Sequence, residues 1–244
     1  MFGISAYFDG IYGGKPMVDV LDLDGFDYIE LVLSGESDPT GSLKAFETLS
    51  AKKKIKVVHL PEIDVKNVGK TIVFINLFME KNVDIFNLHL LTTKMHATLD
   101  QRISALKLLR DITASSNAKI TVENTEEDPE NFKQLFSRIE DFDFCLDVGH
   151  GNLSDDKKRN EKFIDEHSSR LRLVHLHDNN GGKGEQADLH LPLGEGNIDF
   201  QSIFLKLKDV GYLGPMTLEL YKAECSKWRD SLSFAKRLVG EHDI

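Results

Sequence analysis

Short apolar runs alternate with amphipathic stretches from one end of the chain to the other. Eight runs rich in β-branched and aromatic residues read as strands: 2–6, 28–33, 56–60, 85–90, 119–123, 142–148, 171–176 and 216–220. Between them apolar residues recur at helical spacing, as in Leu99, Ile103, Leu106, Leu109 and Ile112, or Phe132, Leu135, Phe136 and Ile139. Asp128 followed by Pro129 reads as an N-cap with a first-turn proline. Asp199 reads as the cap of a helix whose inner face is Phe200, Ile203, Phe204 and Leu207. Trp228, Leu232, Ala235 and Leu238 form a last stripe of the same kind.

Eight strand–helix alternations in 244 residues, with strands apolar on both faces, predict one (β/α)8 TIM barrel over residues 1–244. An open doubly wound sheet fits less well, because no glycine-rich phosphate fingerprint follows the first strand. The strands are evenly spaced except between the seventh and eighth. The surplus there is the stretch 178–196, which in a barrel lies over the mouth and is a candidate lid loop.

Charge and cysteine usage narrow the picture. A formal net charge of -10 argues against a broad nucleic-acid-binding face. Cys145 and Cys225 make no disulfide framework, so a reducing, cytoplasmic setting is expected. The start, MFGISAYFDG, lacks the basic segment of a signal peptide, and the greasiest run, 72–79, is too short to span a bilayer.

The polar residues inside the strand pattern carry the chemistry. His59 ends the third strand (KVVHLP), His89 the fourth (FNLHLL) and Glu123 the fifth (ITVENT). Asp147 and His150 end the sixth (FCLDVGH), His175 the seventh and Glu219 the eighth (MTLELY). Asp188 and His190 follow in DLHLPLGEG. In a parallel barrel the C-terminal strand ends converge on one face, so these nine groups are expected in one mouth. Imidazoles and carboxylates gathered there suit a divalent metal of the zinc or manganese kind. Residues that merely cap a barrel top would not favour His, Asp and Glu so consistently over Ser, Thr and Asn.

Glu30, in YIELVL, has the same setting on the second strand, and His177 lies two residues beyond His175. His96, His167 and His242 fall in helical or terminal stretches and are expected to be solvated. The basic run from Lys52 to Lys56 precedes the third strand, so it belongs at the barrel bottom as a solvated helix end. Lys157, Lys158 and Arg159 follow the sixth strand on the mouth side and are candidate phosphate contacts, as is Lys183 on the loop.

Taken together, these motifs resemble the xylose isomerase-like TIM barrels. That superfamily holds sugar and sugar-phosphate isomerases and epimerases together with the endonuclease IV family of abasic-site nucleases. The likeness covers essentially the whole chain. It rests on Glu in strand five, Asp-x-x-His in strand six, His in strand seven, Asp-x-His before P-L-G-E-G, and Glu in strand eight.

In the sugar branch the resemblance implies one metal on Glu123, Asp147, His175 and Glu219, the two glutamates doubling as acid and base. His150 and His177 would bind hydroxyls or shuttle protons, and Glu30 and Lys183 would face the substrate. In the nuclease branch it implies three zinc ions, held by those four residues with His59, His89, His150, Asp188 and His190. YIELVL looks like the sugar branch, and the compact chain leaves little room for DNA-gripping loops. The expectation is therefore a metal-dependent isomerase or epimerase of a small sugar or sugar phosphate, with one to three ions. The alternative is a multi-zinc phosphodiesterase with nucleic acid as partner.

Overall fold

Side chains along a strand point alternately to opposite faces, and closing a parallel sheet turns those faces into an inside and an outside. The computed structural model describes residues 1–8, 11–12, 15–17, 21–63, 68–89, 98–184, 186–220 and 225–242. Eight parallel strands close the barrel: β1 (Phe2–Tyr7), β2 (Tyr28–Val32), β3 (Ile55–His59), β4 (Ile85–His89), β5 (Lys119–Glu123), β6 (Asp143–Asp147), β7 (Leu171–Leu176) and β8 (Met216–Leu218). Each pairs with its successor, and β8 pairs with β1. The expected bounds hold to within one or two residues. β6 stops at Asp147 because Val148 already begins a helix, and β8 stops at Leu218.

The outward residues, among them Ile29, Leu31, Val58, Phe86, Leu88, Val122, Phe144, Leu146, Val174 and Leu176, are buried in the shared core under the helices. The inward residues form two layers. Tyr28, Val57, Ile85, Cys145 and Leu173 make a small apolar cluster of their own at the bottom. Two residues further along each strand the lining becomes Glu30, His59, Asn87, Asp147 and His175, all buried. Strands apolar on both faces are thus found only in the lowest layer; above it the inside is polar. Tyr28 plugs the bottom. A Cβ on Gly3 would lie 2.2 Å from the Tyr28 ring, so that position must be bare.

The helices are α1 (Pro39–Ser50), α2 (Gly69–Met79), α3 (Leu99–Thr113), α4 (Pro129–Phe136), α5 (Val148–Asn152), α6 (Arg159–His167), α7 (Phe200–Asp209) and α8 (Cys225–His242). Local chemistry starts them. Asp38 accepts from the Gly41 amide at 2.8 Å, and Asp199 accepts from Ser202 at 3.0 Å, as its position predicts. Thr98 and Gln101 form a reciprocal capping box on α3. Among the described residues no helix is long and apolar enough to cross a membrane.

Two expectations about isolated charges change. The lysine run is more than a solvated helix end: Lys54 and Lys56 both grip Asp84, and Lys53 donates to the carbonyls of Leu23 and Phe26. His167 is buried rather than solvated, 4% exposed among the rings of Phe132, Phe136, Phe144 and Phe163. Its Nε2 lies 3.0 Å from the Pro129 carbonyl, to which it donates. His96 lies outside the described residues.

Burial holds the His167 pKa below its ordinary value, outweighing the hydrogen bond to Pro129. The unfolded chain, with an imidazole pKa of about 6.5, therefore binds the proton first as pH falls. His167 is stabilising as the neutral ring, and that contribution is lost below about pH 6.5. Urea unfolding of wild type and His167→Gln between pH 7.5 and 5 should show a shallower pH dependence in the variant. Equal slopes would mean that the buried imidazole titrates as it does in the unfolded chain.

Candidate metal centre

The period-two alternation that puts Tyr28 and Val57 at the bottom lifts acids and imidazoles to the top. Glu123, at the end of β5 and 0% exposed, is the hub. His59 Nε2 stands 3.2 Å and His175 Nδ1 3.2 Å from its Oε2. His89 Nε2 and His150 Nδ1 each stand 3.3 Å from its Oε1. His175 Nδ1 is also 3.3 Å from Glu219 Oε1 and 3.8 Å from Asp147 Oδ2. Beside this group His150 Nε2 stands 3.3 Å and His190 Nε2 3.2 Å from Asp188 Oδ2. All nine residues expected at the mouth come together there.

The second nitrogen of each ring explains what the first is doing. His59 Nδ1 lies 3.0 Å from the Leu60 carbonyl, His150 Nδ1 3.0 Å from the Asn124 carbonyl, and His190 Nδ1 2.8 Å from the Glu219 carbonyl. His175 Nε2 lies 3.1 Å from Glu30 Oε2. A carbonyl or carboxylate can only accept, so a neutral ring keeps its single hydrogen on that side. The opposite nitrogen then turns a lone pair toward a carboxylate oxygen, which also only accepts. Lone pairs facing one another at 3.2 to 3.3 Å need a positive charge between them.

Several buried atoms share that need. Glu123 Oε1, Asp147 Oδ2, Asp188 Oδ1 and His175 Nδ1 make no hydrogen bond among the described residues. Donor groups within 4.8 Å of one another form overlapping sets, including His59–His89–Glu123, Glu123–Asp147–His150 and His150–His177–Asp188–His190. A zinc-like ion with bonds of about 2.0–2.2 Å spaces tetrahedral ligands by about 3.3–3.6 Å, so these residues fit a divalent cation.

Protons stand in where no cation is bound. Burial opposes charge on His59, but Glu123, Glu219 and Glu30 outweigh it and raise its pKa to about 9. His150 and His190 are raised against the same burial by the surrounding carboxylates, and His175 by Cys145 and then by Glu219, Glu30 and Glu123. Asp147, also buried, is brought down to about 2 by His150 and His177, and Glu123 falls well below the usual carboxylate range beside His175 and His89.

Over these groups lies a cavity of about 310 Å³, lined by His59, His89, His150, Asp188, His190 and Glu219, with Tyr7, Ser34 and Glu62 on its walls. Glu123, Asp147 and His175 sit one layer below it. Glu30 is 0% exposed and meets His175 and Thr217 rather than the cavity. His177, also 0% exposed, stacks on His190 with ring centroids 3.8 Å apart and lies 3.1 Å from Asp147 Oδ1. A Cβ on Gly149 would lie 2.0 Å from the His177 ring, so the glycine of the DVGH motif makes room for it. Lys183 does not line the cavity; it is largely exposed and pairs with Asp155.

Arg159 does not line the cavity either. It is 2% exposed and donates to the carbonyls of His150, Thr125 and Glu127, bracing the turns after β5 and β6. Lys158 pairs with Glu161.

Three supporting residues have no obvious signature in the sequence. Asn87, 0% exposed on β4, donates to Glu123 and accepts from Thr121. Asn124 clasps Asp147 by both backbone groups, at 2.9 Å each. Asp178 accepts four backbone N–H groups, those of Asn179, Gly194, Gly196 and Ile198, and so folds the long loop back onto the end of β7. A Cβ on Gly196 would stand 2.3 Å from Asp178 Oδ1, and Gly194 has φ +87, which accounts for both glycines of LGEG. The same fold-back delivers Asp188 and His190, the latter at φ 47.

The sequence profile of the xylose isomerase-like TIM barrel family matches residues 20–238. An uncharacterised Methanocaldococcus jannaschii protein, MJ1311, is 30% identical over 130 residues, which are 50% of this chain and 43% of that one. The matched segment spans less than half the length of the curated relatives it resembles. Among solved structures, a D-tagatose 3-epimerase-like protein superposes with a TM-score of 0.79 at 23% identity, covering 99% of this chain and 98% of its own. The TTHB071 protein of Thermus thermophilus, soaked with zinc chloride, superposes with a TM-score of 0.71 at 18% identity, covering 98% of each. These structural likenesses carry the fold. With a family match over residues 20–238 and a closed eight-stranded parallel barrel, the chain belongs to the xylose isomerase-like TIM barrel family.

Proposed function

We propose that the chain is a divalent-metal-dependent isomerase or epimerase that moves a proton on the carbon beside the carbonyl of a small sugar. The observation that carries this reading is the approach of Glu123 and Glu219, from different strands, to the same imidazole nitrogen, at 3.2 and 3.3 Å. A zinc or manganese ion would be held by Glu123, Asp147, His175 and Glu219. When bound it supplies positive charge for the carbonyl and adjacent hydroxyl oxygens and for the negative charge that develops on them.

The chain's own groups divide the proton work. Glu219 reaches the cavity and is the carboxylate that takes the proton from the substrate carbon. Glu123 lies one layer deeper and serves as its partner in returning it. His150, on the cavity wall, passes protons to and from the substrate hydroxyls. The cavity, about 310 Å³, is at the small end of ligand pockets, which run from about 300 to 1,000 Å³, and suits a monosaccharide. The likeness to a D-tagatose 3-epimerase-like protein supports the same substrate class.

A second reading, a multi-zinc phosphodiesterase, is favoured by one observation: the donor sets His59–His89–Glu123 and His150–His177–Asp188–His190 exceed what one ion needs. In that reading Glu123 would serve as a ligand to the ions and would shuttle no proton.

Deuterium uptake separates the two. The wild-type chain in D₂O with Mn²⁺ or Zn²⁺ should exchange the proton beside the carbonyl of ketoses such as D-tagatose. Glu219→Gln, assayed at saturating metal because it also loses an anionic ligand, should fall about 10²- to 10⁴-fold in rate. Cleavage of an abasic-site oligonucleotide by a chain holding two or three zincs, with no exchange in any ketose, would contradict the isomerase reading.

The raised imidazoles also fix the sign of a pH effect. Below about pH 9 the cation-free site holds a proton on His59, 3.2 Å from Glu123 Oε2, and a cation taken up by Glu123 disfavours that proton. Apparent affinity for Zn²⁺ should therefore rise with pH up to about 9, with protons released on binding. Titration calorimetry in buffers of different ionisation enthalpy reads that release; an affinity flat in pH with no proton released would exclude the arrangement.

A further inference from the structure

Glu30 belongs to the polar layer but does not line the cavity. It is 0% exposed, and among the described residues no lysine or arginine pairs with it. Its Oε2 accepts twice, from Thr217 Oγ1 at 2.7 Å and from His175 Nε2 at 3.1 Å. Thr217 has spent its own hydrogen on Glu30, so its oxygen accepts from the Tyr28 hydroxyl at 2.8 Å. A directed chain of hydrogen bonds thus runs from the plug at the barrel bottom, Tyr28 to Thr217 to Glu30, and ends on one side of the His175 ring.

That ring has two sides with opposite demands. On a ring with a single hydrogen, Glu30 holds that hydrogen on Nε2 and leaves the lone pair on Nδ1. Nδ1 is the atom that faces Glu123 and Glu219, and it has no hydrogen-bond partner among the described residues. Were Glu30 absent, the hydrogen could move to Nδ1 and donate to either glutamate, and the lone pair would be lost to a cation.

Glu30 also falls within a candidate donor set with His59, His175 and Glu219, but its carboxylate is engaged by His175 Nε2 on the side of the ring away from Glu123 and Glu219. We propose that Glu30 is a positioning residue: through its hydrogen bond to His175 it fixes the tautomer and ring angle of a cation ligand, without ligating the cation itself. Carboxylate–imidazole–cation arrangements of this kind raise ligand basicity, and losing the outer carboxylate typically weakens binding about 10- to 100-fold. The inference rests on the reading that the mouth holds a cation. It also gives Glu30, which the family resemblance assigns to the substrate, a task outside the cavity lining.

The test compares the full-length chain with Glu30→Gln, Glu30→Ala and Thr217→Val. Zn²⁺ dissociation constants come from competition with a chelating indicator at fixed pH, and melting temperatures from the metal-free proteins. Glu30→Gln and Glu30→Ala should bind about 10- to 100-fold more weakly with little change in metal-free melting, and Thr217→Val should weaken binding less. The visible spectrum of bound Co²⁺ should keep the intensity of its coordination number in Glu30→Gln, because a residue acting through His175 leaves the ligand count intact. Wild-type affinity in both Glu30 variants, or a changed Co²⁺ coordination number, would overturn the proposal. Should Glu30→Ala fail to fold, Glu30→Gln and Thr217→Val carry the same comparison. A wild-type chain that binds no ion at all sinks the cation reading as well, so the two failures are told apart.

Discussion

Electron pair against electron pair is the constraint from which the upper half of this barrel follows. Closing eight parallel strands forces every second side chain inward, and at the upper layer those side chains include the carboxylates of Glu30 and Asp147 and the imidazoles of His59 and His175. An isolated buried carboxylate is too costly to remain ionised unless something positive compensates it. Among the described residues Glu123 meets four imidazoles and no lysine or arginine. The positive charge must therefore come from protons on the rings or from a cation among them, and the two compete for the same lone pairs.

The backbone decides which atom of each ring takes part. Leu60, Asn124 and Glu219 offer carbonyls that capture Nδ1–H of His59, His150 and His190, and Glu30 captures Nε2–H of His175. These acceptors are geometry, fixed by the ladder and by short turns, so the donor set is organised before any ligand arrives. The loop after β7 is organised in the same way: Asp178 gathers four amides, and the two glycines of LGEG are bare because a carboxylate and a left-handed turn require it.

Much of this was legible in the sequence, because the information lay in periodicity. Period two in short apolar runs and helical spacing between them define a barrel, and topology then brings His59, Glu123, His175 and Glu219 to one end whatever their separation in the chain. What periodicity does not encode is depth along a strand. Glu30 and Glu219 look alike in sequence, yet Glu219 reaches the cavity and Glu30 is taken up by His175 and Thr217. Partner choice is equally hidden: Arg159 and Lys183 read as free cations, while packing gives one to backbone carbonyls and the other to Asp155. His167 misleads because helical position says nothing about a ring sealed between α4 and α6. Asn87, Asn124 and Asp178 carry no motif, since their work is to hold other residues.

The central claim is that the facing lone pairs mark a cation's place, and anomalous diffraction from crystals grown with Zn²⁺ tests it most directly. The account predicts a strong anomalous peak at about 2.0–2.2 Å from His175 Nδ1 and from oxygens of Glu123 and Glu219, with the His175 Nε2 contact to Glu30 intact. No peak in the mouth at saturating Zn²⁺, with the imidazoles still paired to the carboxylates, would contradict it.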